Sequence, residues 1–353
     1  MNFIKRKEPY MQNTKNNLYR HYIALDWSQK IAAMAVMKDN GGKVEVQMVQ
    51  PDPGIIRKKL KKYTGSKIMT IEETTTSHWL YVELKESVDK LVICNPYTNR
   101  LMLDGPQTDK IDARNLCLLL RNGMLKEVYH SMDKDYEIRK LVSGYTDTVK
   151  ALVRIKNQRS AVYRALGKNH KKMDEVLPKG TESEFVGQKQ NELIEHHSEI
   201  IREYEQSFNK IYRGNKTLQR LKKISGIGIK TAVMIYSAVI DASRFENKYK
   251  YWSYSGLVRQ YKESGGRVYR SKPVRYSRQL KTCYKTAATG AISGKNDIRE
   301  YYEYLLQQGI SPEKARHQIA RYISKVSYVV MKNKTDYRAY QWRESKNQTR
   351  KAV

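Results

Sequence analysis

His21-Tyr22-Ile23-Ala24-Leu25-Asp26 is a short apolar run that ends on a carboxylate. Ile31 to Met37 and Lys43 to Val49 follow it, separated by Asn40-Gly41-Gly42, and the three runs together predict a strand meander with a hairpin turn. Beyond them the pattern changes. A helical stretch near Ile55 to Tyr63 leads to a fourth strand at Lys67 to Glu72, a helix from about Ser77, and a fifth strand at Leu91 to Cys94 closed by Asn95-Pro96. Strands that are first consecutive and then alternate with helices describe a mixed α/β sheet. Thr108 to Arg121 then reads as a helix, with Thr108 as N-cap and Asp109 and Asp112 in its first turn.

Downstream, Ile138, Leu141, Tyr145, Leu152, Ile155, Val162 and Leu166 recur at a period of about 3.5, the spacing of a coiled-coil seam. Pro178 and Gly180 interrupt it. Ile194, His197, Ile201, Tyr204, Phe208 and Ile211 resume it on a second long helix, so the two can pair as an antiparallel arm or dimerise; His197 reads as a tolerated polar core position. The last 130 or so residues are expected to be helical and basic. The resulting division is a basic arm at 1–20, an α/β domain at 21–130, a coiled-coil helical insertion at 131–216, a helical C-terminal domain at 217–332 and a basic tail at 333–353. The fold class is therefore α/β plus α.

Lys and Arg number 67 against 36 Asp and Glu, a formal charge of +31. An excess of that sign attracts phosphate backbones, and nucleic acid is the default partner; a basic surface near ribosomes or membranes is the plainer alternative. Tyrosines number 27 against 4 Phe, and many adjoin Lys or Arg, as in Lys248-Tyr249-Lys250-Tyr251. Such faces can stack bases while pairing phosphates, although any one Tyr also serves as a half-buried core aromatic. Cys94, Cys117 and Cys283 lack CxxC or Cys/His ligand spacing, so neither a disulfide framework nor a structural zinc site is indicated. No apolar run reaches the roughly 20 residues of a membrane span and the N-terminus lacks a signal-peptide apolar segment, so a cytoplasmic, nucleoid-associated protein with no membrane partner is expected.

The placement of acids is the most informative feature. Asp26 ends the first strand, Glu72 ends the fourth, and Asp109 with Asp112 lie three apart on one helix face. Acids at the ends of adjacent strands converge at one sheet edge, and four together repel unless a divalent cation neutralises them. All-oxygen ligands suit Mg²⁺ or Mn²⁺, ions that clamp the attacking and leaving oxygens of a phosphodiester displacement. Taken singly, each acid also has a plainer role, as a strand-end turn residue, a surface charge or a complement to a helix dipole.

Ala24-Leu25-Asp26, Glu72-Glu73-Thr74, Asn95-Pro96 and Thr108-Asp109-Lys110-Ile111-Asp112-Ala113-Arg114 resemble the blocks of DEDD insertion-sequence transposases, relatives of pilin-gene invertases and of bridge-RNA-guided recombinases. The resemblance implies an N-terminal domain of the RuvC and ribonuclease H type with Asp26, Glu72, Asp109 and Asp112 as its metal-binding set. Ile224-Ser225-Gly226-Ile227-Gly228, followed by Lys230, Thr231 and Ala232, resembles a helix-hairpin-helix turn, in which backbone amides cradle a DNA phosphate; a plain helix connection is the alternative. Gly256-Leu257-Val258 and Glu263-Ser264-Gly265-Gly266 resemble the family's C-terminal transposase block, which implies that Ser264 is the nucleophile; without the family it reads as a turn residue. Arg267, Arg270, Lys272, Arg275 and Arg278 follow and are expected to hold phosphates. Thr75, Glu263 and Val274 depart from the family pattern.

The implied activity is cleavage and rejoining of donor and target DNA through a phosphoserine, guided by a structured RNA and carried out by a homodimer or homotetramer. Two rivals remain at this level: a metal-dependent, Holliday-junction resolvase-like nuclease using activated water, and a non-catalytic architectural protein.

Overall fold

β1 (His21–Asp26) is buried along its length and takes a central place because both of its edges are paired. The computed structural model describes residues 18–96, 108–130, 133–169, 171, 176–273, 275–340 and 342–343. The chain divides into two units, 1–130 and 131–353.

In the first unit β1, β2 (Ala32–Lys38) and β3 (Gly41–Val49) form the expected antiparallel meander, and β4 (Lys67–Glu72) and β5 (Lys90–Cys94) add in parallel on the other side of β1. The sheet order is β3-β2-β1-β4-β5. Side chains alternate across it, so Ile23, Leu25, Met69 and Ile71 face α1 (Pro53–Leu60) and α2 (Ser77–Leu84) in one core layer. Tyr22, Ala24, Ala33, Ala35 and Ile68 face α3 (Asp109–Arg121) in the other. Three of those five are alanines, which lets α3 lie close to the sheet and bury Ala113, Leu116, Cys117 and Leu120.

The second unit opens with α4 (Asp133–Ala165) and α5 (Glu182–Gly214), which pair antiparallel: Tyr145 packs edge-on to Tyr204 and Phe208, with ring centroids at 6.1 and 5.1 Å. Their basal residues, including Val142, Tyr145 and Phe208, join the same core as the helices that follow. Those are α6 (Lys216–Lys222), α7 (Ile229–Val239), α8 (Lys248–Tyr254), α9 (Arg278–Ser293), α10 (Asp297–Gln307) and α11 (Pro312–Asn333). At the centre Tyr251 and Tyr284 are fully buried and satisfy each other's hydroxyls, which is what allows two phenols in an apolar core.

One stretch departs from the all-helical expectation for this half. β6 (Arg259–Ser264) and β7 (Arg267–Pro273) form a two-stranded antiparallel hairpin closed by Gly265 and Gly266, at φ +55° and +74°. A two-residue turn with both residues at positive φ matches the twist of paired strands, and glycine adopts it without a Cβ penalty. Among the described residues no helix is long and apolar enough to cross a membrane.

Candidate active site

The sheet and α3 bring the four predicted acids of the first unit to one end of one face. Asp26 continues the series Tyr22, Ala24 on β1, and Glu72 continues Ile68, Thr70 on β4, so both belong to the α3 side. The strands pair in parallel with Leu25 opposite Ile71, which makes Asp26 and Glu72 neighbours across the ladder. The direction of α3 follows from two contacts. The Cys117 thiol donates to the Tyr22 carbonyl at 3.2 Å, and Arg121 Nη2 donates to the Asp39 carbonyl at 3.0 Å, beside the start of β1. The helix therefore runs antiparallel to β1. From Cys117 back to Asp109 is about 12 Å of helix, and from Tyr22 forward to Asp26 is about 13 Å of strand. The first turn of α3 thus lies level with the ends of β1 and β4. Thr108 sets that start, its Oγ1 accepting from Ile111 N at 3.4 Å.

The electrostatics agree with the geometry. The Asp26 carboxyl is pushed up to about 6, first by burial and then by the negative charges of Asp109, Glu72 and Asp112. All three partners are close enough to act on Asp26, yet among the described residues no three acidic, histidine or cysteine side chains are closed up as ligands around an ion would be. The donor set is oxygen only, half-buried at Asp26, Glu72 and Asp112 and exposed at Asp109. Such a set fits a hard divalent cation, whose charge removes the repulsion that lifts Asp26.

In the second unit Ser264 is the last residue of β6, paired with Arg267 across the turn. Both are exposed, as are Gly265 and Gly266, whose missing side chains would meet open space. Arg275 and Arg278 are exposed; Arg270 and Lys272 lie in β7 with side chains that are not described, and Val274 lies outside the described residues. The turn between α6 and α7 uses its glycines differently. Gly226, at φ +87°, sits against α9, where a Cβ would come within 2.1 Å of the Ala287 carbonyl oxygen, so close helix packing accounts for it. Gly228 caps α7 and would meet nothing with a Cβ, leaving the first-turn amides approachable. Lys230 is tied to Glu205 Oε1 at 3.3 Å and lies over the Tyr145 ring.

Sequence reading missed the root of the hairpin. Leu257 O accepts from Arg321 Nε at 2.7 Å and bonds His317 Nε2 at 3.1 Å, both from α11. Tyr276 fills the space beside Gly256, where a Cβ would sit 2.4 Å from its ring. These partners lie some 20 to 60 residues from the hairpin root, and local pattern carries no signal for them.

Two family models match, in chain order. The DEDD transposase model of the IS110 type, described as "Transposase", covers residues 23–165, and the "Transposase IS116/IS110/IS902 family" model covers residues 218–303. The chain belongs to the IS110 family of DEDD transposases. As in the resemblance drawn from sequence, Asp26, Glu72, Asp109 and Asp112 fall in the first IS110-family match and Gly226, Gly228 and Ser264 in the second. The transposase for insertion sequence element IS1111A of Coxiella burnetii is 22% identical over 205 residues, 54% of this chain and 56% of that relative. The chain thus spans little more than half the length of the curated relative that it matches.

Proposed function

We propose that this IS110-family transposase cuts and rejoins donor and target DNA, with Ser264 as nucleophile and Asp26, Glu72, Asp109 and Asp112 as the holders of Mg²⁺ or Mn²⁺. The observation that carries the reading is the gathering of four carboxylates at one end of the sheet, in a chain whose net charge is +31. A cluster that raises one member to about 6 is a cost to folding, and metal-assisted phosphoryl chemistry is a reason to keep it. A divalent cation bound there supplies Lewis-acid stabilisation of charge developing on the phosphate.

The remaining work belongs to the chain. Ser264 Oγ attacks phosphorus and its proton passes to solvent; the bond from phosphorus to one deoxyribose oxygen breaks and that oxygen takes a proton from solvent, leaving a phosphoserine ester and a free DNA hydroxyl. Rejoining is the same exchange with an incoming DNA hydroxyl, so phosphodiester energy is conserved and no external energy source is needed. The exposed position of Ser264 at a hairpin tip supports access to a duplex. Arg267, Arg270, Lys272, Arg275 and Arg278 hold neighbouring phosphates, and the amides at Gly228 and Lys230 take another, with Gly226, Gly265 and Gly266 shaping the turns. A RuvC/ribonuclease H-like reading of the first unit is supported by the strand order and by the antiparallel-then-parallel sheet. A structured guide RNA that pairs with both DNAs, and assembly as a dimer or tetramer, complete the proposal.

Its test is covalent trapping. Purified protein with its co-purified RNA, supercoiled DNA and Mg²⁺ is expected to yield protein attached to a DNA end, and Ser264→Ala to yield none. An adduct formed by Ser264→Ala refutes the nucleophile. Unimpaired hydrolytic cutting by Ser264→Ala, with no rejoining, replaces the recombinase with a water-activating nuclease.

A further inference from the structure

A cleft of about 640 Å³ opens between α9 and α11, and none of the residues that line it is among those proposed above. Lys285, Thr286 and Thr289 line it from α9, and Glu313, Arg316 and His317 from α11. The helical spacings i, i+1, i+4 and i, i+3, i+4 put each triad on one face, so the lining is a built feature of two packed helices rather than a loop accident. Beneath it α9 and α11 bury Tyr284, Ala288, Ala315, Ile319 and Ile323, which holds the walls in place.

We propose that this cleft binds the phosphodiester backbone of a nucleic-acid strand, with Lys285 and Arg316 pairing phosphate oxygens and the hydroxyls of Thr286 and Thr289 completing the contact. Three observations select that ligand. Among the described residues that line the cleft the cations Lys285 and Arg316 outnumber the one acid, Glu313, and Lys281 and Arg321 lie close enough to bear on His317. Burial first, and then the positive charges of Arg321, Lys285 and Lys281, hold His317 below its ordinary value, and an anion in the cleft would offset the second of these causes. An arginine fork beside hydroxyl donors matches tetrahedral phosphate oxygens, and a space of this size takes a nucleotide unit rather than a lone ion.

The position of the cleft adds a consequence. The His317 ring that borders it also bonds the Leu257 carbonyl at 3.1 Å, at the root of the β6–β7 hairpin. Tyr276 hydroxyl, beside Gly256 on the other flank of that root, lies 3.3 Å from Lys281 Nζ. A strand seated in the cleft therefore passes next to the hairpin that carries Ser264. The binding claim stands without the serine chemistry.

The test is fluorescence anisotropy with the full chain and three labelled probes of equal length: single-stranded DNA, duplex DNA and RNA. Lys285→Gln/Arg316→Gln is expected to weaken at least one probe about tenfold at 150 mM salt and to lower the salt slope by about 1.4 to 1.8, two lost phosphate contacts. The probe affected identifies the strand. Glu313→Gln is expected to tighten the same probe. Lys216→Gln/Lys295→Gln removes equal charge from two exposed positions outside the cleft and is expected to change the slope less than half as much. Since Lys285 and Arg316 are exposed, melting temperature should be unchanged, which separates binding from folding. Affinity within twofold of wild type for all three probes, or an equal loss in the control pair, overturns the site.

Discussion

Replacing Asp26 by Asn should make the metal-free protein more stable while abolishing the DNA chemistry proposed for it. Asp26 titrates near 6 in the folded chain against 3.8 in a free carboxylate, raised by burial and by Asp109, Glu72 and Asp112. A shift of about two pH units corresponds to an upper bound of about 3 kcal/mol. Asp26 is only half-buried and Asp109 is exposed, so solvent screening brings the expected gain to about 1–2 kcal/mol. The sign follows from linkage. Between pH 4 and 6 the native state holds the Asp26 proton and the unfolded chain releases it, so wild-type stability from this group falls as pH rises through that window. Below about pH 4 both states are protonated and Asp26→Asn should match wild type; above about pH 6 the variant should lead by its full margin. Urea unfolding from pH 4 to 8 in chelator reads this directly, and added Mg²⁺ should narrow the gap by stabilising wild type. A variant no more stable than wild type at pH 7.5, or a gap that does not change with pH, refutes the clustered arrangement.

Gly226→Ala should cost about 3 kcal/mol or more, from a left-handed backbone and a Cβ driven into the Ala287 carbonyl, whereas Gly228→Ala should change stability by only a few tenths; thermal melts of the pair decide it. Ser264→Ala, at an exposed position, should leave melting within about 0.5 kcal/mol of wild type while removing the covalent DNA adduct. Arg321→Met removes the 2.7 Å donor to Leu257 O and should cost about 1–3 kcal/mol, with faster amide exchange confined to the β6–β7 hairpin; unchanged exchange there refutes the anchoring role.

The first unit was legible because its signals are local and redundant. β1 and β4 announce themselves as apolar runs ending in acids, Thr108 caps α3 as a threonine before two aspartates should, and alternation then dictates which face Asp26 and Glu72 share. What pattern could not supply was the direction of α3, which rests on Cys117 reaching Tyr22 and Arg121 reaching Asp39 across 95 and 82 residues. The β6–β7 hairpin was missed for a different reason. Arg259–Ser264 is solvated along its described side chains and so lacks the apolar alternation by which strands are found; only Gly265-Gly266 marks it, and a glycine pair signals a turn without the strands on either side of it. Gly226 shows the converse hazard. Two glycines around an isoleucine resemble a phosphate cradle, yet the first of them is required by the backbone of α9 before any ligand is considered.

Net charge conceals the decisive local fact about this chain. A total of +31 favours polyanions such as nucleic acid, but the end of the sheet where Asp26, Glu72, Asp109 and Asp112 gather has the opposite sign. Without a counter-ion a phosphate arriving there meets repulsion, so general attraction cannot by itself deliver a phosphodiester to those acids. Retaining such a spot costs stability at neutral pH and opposes the ligand that the rest of the surface attracts. A divalent cation held by Asp26, Glu72, Asp109 and Asp112 would lower both penalties together, because its positive charge would offset the carboxylates and attract the phosphate. An architectural DNA-binding protein gains nothing from that arrangement and would lose nothing by replacing Asp26 with a neutral residue. The persistence of four acids in so basic a chain therefore argues for chemistry on the phosphate rather than for binding alone.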